Sequence, residues 1–338
     1  MANYPKINYI GNKSKLVDWI ISNMPIKTGT VVDLFSGGSS VSYELKKHNF
    51  LVIANDCLYS NYILNKAIIE NSKDTLNKDV FDIKISQKEI VEKYNEISKY
   101  LSNILYYDYE VKELAKLIKI SETLKDYQKS LFLALIRRAM IRKLPYSRMN
   151  VPWNQIQKLR DENYSYEKYG RKRAYHNQTF ESLMLADLEN YNQSIFNNKK
   201  NNKSYHMDSY DFIKSLDDKV DIIYMDPPYP KTMNKYGEFY GIYDKIFDKE
   251  IDYVNLSKNE MFLKNFVNLV KECVKKTNFI VISLNNKTSP SIQELEKAIQ
   301  CFGETRILEK EHQYKVTNKE NKNTTIEQLL ILKTKNKS

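Results

Sequence analysis

The run Asp226-Pro227-Pro228-Tyr229 sets a carboxylate, a carbonyl and an aromatic ring on backbone with little freedom. Each proline fixes its own φ and removes an N–H donor. The set suits a flat heterocycle that bears an amino group. The Asp226 carboxylate and the Pro227 carbonyl would accept the two amine hydrogens, and the Tyr229 ring would stack on the heterocycle. An aromatic amine is a poor nucleophile because its lone pair is delocalised into the ring. Two acceptors on its hydrogens favour a pyramidal nitrogen and aim the lone pair at an electrophilic methyl. A strand merely ended by a proline pair would look similar. What separates the two readings is the apolar run from Val220 to Met225 directly before the motif. It predicts a buried strand with the motif at its carboxyl end, where open α/β sheets bind their ligands.

Asp33-Leu34-Phe35-Ser36-Gly37-Gly38-Ser39 predicts a second such position, a glycine-bearing turn after an apolar strand. It would let a nucleoside-containing ligand approach the backbone and a helix N-terminus. Dinucleotide sites and plain tight turns share that pattern. Asp56 follows about twenty residues on, at the end of the next apolar run, where an acid can accept from both ribose hydroxyls. It could also cap the helix after it. Tyr9-Ile10-Gly11-Asn12-Lys13 reads as a turn before the first helix. Asp208, in YHMDSYDF, is placed either to accept from an adenine amine or to cap a helix.

The elements that must hold these residues alternate at both ends of the chain. TVVDLF (30–35) and FLVIAND (50–56) read as buried strands, each followed by a helical pattern, as in parallel βαβ units. That alternation returns in VDIIYMDPPYP (220–230), a helix near 258–276, FIVISLNN (279–286), a helix near 290–301, and a hairpin of 306–316 with 325–334. Between them, 86–105 and 109–142 have helical spacing, and NNKKNNKS (197–204) reads as an exposed loop. The expectation is an α/β, Rossmann-like sheet domain (1–75 and 200–338) with a mostly helical domain (76–199) inserted. Pro230 to Tyr243, with Tyr236, Tyr240 and Tyr243 beside two glycines, reads as a mobile loop.

Net charge is +11, but lysine, asparagine, isoleucine and tyrosine are abundant throughout, so basicity alone says little. Arginine says more. Of eight arginines, seven lie at Arg137, Arg138, Arg142, Arg148, Arg160, Arg171 and Arg173. With four lysines against three acids, that stretch carries +8. Arginine forks bind phosphates and guanine edges, and the interleaved tyrosines can stack on bases. The competing reading is a solvated basic face. Three scattered cysteines fit neither a disulfide framework nor a metal site. No run reaches the roughly 18–20 apolar residues of a membrane span, and no signal peptide opens the chain. A cytoplasmic, metal-free monomer is expected.

Together these motifs resemble the α-group, or D12 class, of adenine-specific DNA methyltransferases, over about 1–75 and 200–338. The resemblance implies S-adenosylmethionine as cofactor, held by Tyr9, Gly11, Asn12, Lys13, Asp33, Phe35, Ser36, Gly37, Gly38, Asp56, Asp208 and Asp226. It implies Asp226, Pro227, Pro228 and Tyr229 as catalytic residues, and Lys13 near the target base. Its partners would be double-stranded DNA, gripped by Lys13 and the seven arginines, and a cognate restriction endonuclease. RRAMIRKLPYSR (137–148) is similar to restriction-modification members. The target adenine would be flipped out of the duplex, since a stacked base is out of reach. One departure stands out: the family's F-x-G-x-G ends here in Ser39. An RNA adenine methyltransferase and a catalytically silent DNA-binding protein remain alternatives. A cytosine-amine enzyme fits less well, because its motif usually resembles SPPY.

Overall fold

The computed structural model describes residues 2–171, 175–230, 236–254, 256, 261–312 and 325–335. The chain divides into two compact units, a helical one of 1–12, 58–199 and 236–250 and a sheet-containing one of 13–57, 200–235 and 251–338. These boundaries differ from those expected: 58–75 and 236–250 belong with the helices.

The sheet unit holds seven strands: β1 (Thr30–Asp33), β2 (Leu51–Asp56), β3 (Lys203–His206), β4 (Val220–Met225), β5 (Thr277–Asn285), β6 (Gly303–His312) and β7 (Thr325–Thr334). Their order is β3-β2-β1-β4-β5-β7-β6. β1 to β5 pair in parallel, while β7 runs antiparallel to both β5 and β6. The expected terminal hairpin is therefore present and supplies the antiparallel strands. β1, β2 and β4 are apolar runs because helices cover both faces of a parallel sheet. Short connecting helices flank them: α1 (Val17–Ser22) and α2 (Ser40–Lys47). β1 is preceded by Gly29, where φ is +138° and a Cβ would stand 2.4 Å from the Asp221 carboxylate that accepts the Thr30 N–H. Strand order reverses between β1 and β4, which makes the carboxyl ends of these two strands the switch point where ligands bind. Beneath it, Val32, Ile223, Ile280, Ile282, Leu330 and Leu332 form part of one fully buried cluster.

The helical unit comprises α3 (Tyr59–Asn65), α4 (Gln87–Leu101), α5 (Asp108–Thr123), α6 (Asp126–Arg142), α7 (Trp153–Arg160), α8 (Glu162–Tyr169), α9 (Phe180–Asn192) and, later in the chain, α11 (Tyr236–Ile246). The helical spacing over 109–142 resolves into two helices, with Leu124 and Lys125 in extended conformation between them. α4 starts with a reciprocal cap between Ser86 and Glu89. α6 is buried on every side from Ser130 to Ile141 and forms the centre of the unit.

Two carboxylates inside this unit each pair with two cations. Glu110 meets both Arg160 nitrogens at 2.7 Å and Lys143 at 2.6 Å. Burial pushes the Glu110 carboxyl up, but the bonds and charges of Arg160 and Lys143 outweigh it and hold the group below its usual range. Asp187 accepts from Arg138 at 2.6 Å and also from Arg142. The remaining sheet-unit helices are α10 (Ser209–Ser215), α12 (Phe262–Cys273) and α13 (Ile292–Ile299). Among the described residues no helix is long and apolar enough to cross a membrane.

Candidate active site

Four of the motif carboxylates sit at the carboxyl ends of parallel strands in the sheet unit. Asp33 ends β1, Asp56 ends β2, Asp208 follows β3, and Asp226 follows β4. The polypeptide after β1 turns back over β2: the Ser36 N–H and hydroxyl both donate to the Asn55 carbonyl, at 3.0 and 2.9 Å. Gly37, at φ +48°, then presents its N–H to Asp56 Oδ2 at 2.8 Å. The glycine turn and the acid read as a ribose partner are thus one structure. The helix cap considered for Asp56 is not its role, since α3 is flanked by Leu58. Ser39 takes φ +63° at the entry to α2, a left-handed conformation that favours the glycine the family has there.

Asp33 is 1% exposed and accepts the Ser42 hydroxyl at 2.6 Å. Burial, reinforced by the charges of Asp226 and Asp56 and opposed by Ser42, raises its pKa to about 7. Its other oxygen, Oδ1, is buried with no hydrogen-bond partner, and so is Asn55 Oδ1. Buried acceptors without a partner mark places that a ligand can complete. Asp208 caps α10, accepting from Tyr210 and Asp211, while its Oδ2 accepts the Val254 N–H at 2.9 Å. It lines a cavity of 510 Å³ with Tyr210, Lys214, Asp252, Tyr253 and Asn265. Both readings of Asp208, cap and ligand contact, remain compatible.

The proline pair sets Asp226 at the edge of this region with its side chain 24% exposed. Lys13 Nζ lies 3.5 Å from Asp226 Oδ2 and 3.4 Å from Glu327 Oε2 on β7. Burial raises the pKa of Asp226 to about 6, with Lys13 pulling it down and Glu327 pushing it up. Tyr229 is anchored: its hydroxyl donates to the Ser283 carbonyl of β5 at 3.0 Å, and its ring centroid lies 5.5 Å from that of Phe262.

The D12 class N6 adenine-specific DNA methyltransferase profile matches residues 9–316. The chain belongs to that class. It is 40% identical to Type II methyltransferase M2.HphI of Haemophilus parahaemolyticus, over 97% of this chain and 98% of that protein. It is 24% identical to modification methylase StsI of Streptococcus sanguinis and 26% to Type II methyltransferase M.FokI of Planomicrobium okeanokoites. Those matches take in 90% and 88% of this chain and 47% of each relative. This D12 methyltransferase therefore transfers a methyl group to adenine N6 in DNA.

Of the enzyme's other expected site residues, Phe35 and Gly38 lie in the sheet unit, and Tyr9, Gly11, Asn12 and the described arginines of 137–171 in the helical one. Gly11 forms a turn at φ +83°, and Asn12 donates to the Tyr4 hydroxyl at 3.2 Å. Tyr9 stacks on Tyr236 and Tyr240, with centroids at 5.4 and 5.1 Å. The expected mobile loop is corrected here: 236–243 is helix α11, and Tyr240 and Tyr243 are buried, bonded to the Ile10 N–H and the Leu133 carbonyl. Alternating tyrosines and glycines did not reveal the apolar face that packs this segment. Residues 231–235 lie outside the described residues.

The arginine expectation also needs correction. Arg137, Arg138 and Arg160 are 1%, 6% and 4% exposed, and Arg142 is nearly as covered. Arg137 donates to Asn61 and lies 5.5 Å over the Tyr240 ring; the others serve Asp187 and Glu110. Their guanidinium groups neutralise internal carboxylates instead of forming an open face. Arg148 is half-buried over the Tyr146 and Phe239 rings, Arg171 is exposed, and Arg173 lies outside the described residues. The sequence reading missed Glu327 and Asn55. The first had a signal, a lone acid inside the apolar run TIEQLLILKT; the second had none beyond its place beside Asp56.

Proposed function

We propose that the chain is the modification enzyme of a restriction-modification system, methylating a flipped-out adenine of double-stranded DNA with S-adenosylmethionine as methyl donor. The observation that carries the reading is the partly open Asp226 carboxylate, fixed by a proline pair at the sheet's switch point beside Lys13. The turn from Asp33 to Ser39, joined to Asp56, fits a nucleoside-bearing cofactor, and the orphaned Asp33 Oδ1 and Asn55 Oδ1 leave it acceptors to fill. Residues Phe35 to Gly38, Asp56, Asp208 and Lys13 would hold it. When bound, it supplies an electrophilic sulfonium methyl.

The protein's own part is to prepare the amine. Asp226 and the Pro227 carbonyl accept the two N6 hydrogens, which localises the lone pair on nitrogen. The proton that the methylated amine must lose passes to Asp226, whose pKa near 6 suits a proton acceptor at neutral pH. The anchored hydroxyl of Tyr229 fixes its ring beside the carboxylate, where it would bear on the base. Flipping costs a few kcal/mol, offset by these contacts. Exposed Arg171, and Arg148 with it, would contact the duplex. Acting on cellular DNA as a monomer, the enzyme would work in the cytoplasm alongside a cognate endonuclease, as the names of its Type II relatives suggest.

Asp226→Ala tests the reading. Methyl transfer should fall by on the order of 10²–10³-fold, while equilibrium binding of S-adenosylmethionine stays within a few-fold. Near-normal transfer would overturn the role given to Asp226.

A further inference from the structure

Lys13 is held between two carboxylates, and only one of them belongs to the catalytic motif. Glu327 stands in β7 opposite Asn285 of β5 and Lys310 of β6. Its side chain is 1% exposed, against 11% for Lys13 and 24% for Asp226. The two separations from Nζ, 3.4 and 3.5 Å, are nearly equal. Both exceed the 2.7–2.9 Å of a close charge-assisted bond. The ammonium is shared between the carboxylates, donating a long hydrogen bond to Glu327 and standing about as far from Asp226.

We propose that Glu327 is a positioning residue for methyl transfer, holding the Lys13 ammonium off Asp226 so that the catalytic carboxylate keeps an oxygen open for the adenine amine. This rests on the function proposed above. Glu327 and Lys13 are both buried and within ion-pair distance, so Glu327 commits Lys13 to a position between β7 and the end of β4. With Glu327 neutral, Asp226 is the stronger of the two attractions, and the ammonium closes on it. The oxygen that should accept an N6 hydrogen is then occupied. Asp226 also becomes more acidic and a poorer proton acceptor. The other titratable groups coupled to Asp226 are Asp33 at the end of β1, Tyr224 on β4 and Tyr229. Glu327→Gln leaves all of them in place.

The test is a carbon-13 NMR titration of the Asp226 carboxyl, assigned with Asp226→Asn, in protein free of DNA and cofactor. It is made in the wild type, Glu327→Gln, Lys13→Met and the double variant. Glu327→Gln should lower the Asp226 midpoint by roughly one pH unit or more. In the Lys13→Met background only the direct repulsion between Glu327 and Asp226 is left to remove, so the same change should move the midpoint less. In the Lys13 parent, methyl transfer to unmethylated genomic DNA should fall roughly ten- to a hundredfold in kcat, with cofactor affinity little changed. Glu327→Asp should recover part of the rate. An equal drop in both backgrounds, an unmoved midpoint, or an unchanged kcat would each overturn the proposal. Absence of methyl transfer by the wild type would overturn the proposed function instead, and the titration would still report the Lys13 geometry.

Discussion

The strand ends of the sheet unit and the interior of the helical unit both collect charge, and they use it in opposite ways. At the strand ends, Asp33, Asp56 and Asp226 outnumber their cations; burial with the charges of Asp226 and Asp56 lifts Asp33, and burial with the charge of Glu327 lifts Asp226, toward neutral pH. In the helical unit, Glu110 and Asp187 are matched by Arg160, Lys143, Arg138 and Arg142, and Glu110 is driven below its ordinary range. Carboxylates short of cations are left ready to exchange protons or accept a ligand. Carboxylates each held by two cations build a scaffold. A functional carboxylate is recognised less by burial than by what is missing around it.

The largest effect expected from breaking this contrast lies on the scaffold side. Glu110→Ala strands two cations among buried neighbours and should cost about 3–5 kcal/mol of stability, read as a lowered thermal unfolding midpoint. If the unfolding temperature hardly moves, the paired network is not what holds the helices. On the catalytic side, the rate should follow the ionisation of Asp226. Below pH about 6, log kcat/KM should fall with a slope of about one per pH unit, since protonation removes the acceptor and the pKa is raised, not depressed. A profile flat down to pH 5 would show that the carboxylate is not required in its charged form.

Smaller changes sharpen the comparison. Arg171, exposed and outside the internal pairs, should on replacement by alanine lower the salt dependence of DNA binding by about one in the log–log slope. Arg138→Ala should act chiefly on stability. Equal effects of the two on DNA affinity at unchanged stability would erase the distinction. Ser39→Gly should have the least effect: relief of a left-handed residue contributes at most about 1–2 kcal/mol, seen as a small rise in unfolding temperature with cofactor affinity nearly constant.

The same contrast explains how much was legible in the sequence. The sheet, its terminal hairpin and the strand-end location of Asp33, Asp56, Asp208 and Asp226 could all be read, because apolar runs followed by fixed motifs encode position along the chain. Partners distant in sequence could not. Glu327 meets a lysine 314 residues away, and nothing in the arginine-rich stretch states which guanidinium finds Glu110 or Asp187. Counting charge over 137–173 therefore gave a surface where the fold has an interior. Tyr240 and Tyr243 were misread for a related reason, since an aromatic in a glycine-bearing segment carries no mark of being buried.

The most direct measurement is incorporation of label from radiolabelled S-adenosylmethionine into unmethylated genomic DNA, followed by nucleoside analysis. Label is expected in N6-methyladenine of DNA, with none in cytosine and none in structured RNA offered in parallel. Label in RNA alone, or tight cofactor binding with no label in either nucleic acid, would contradict it.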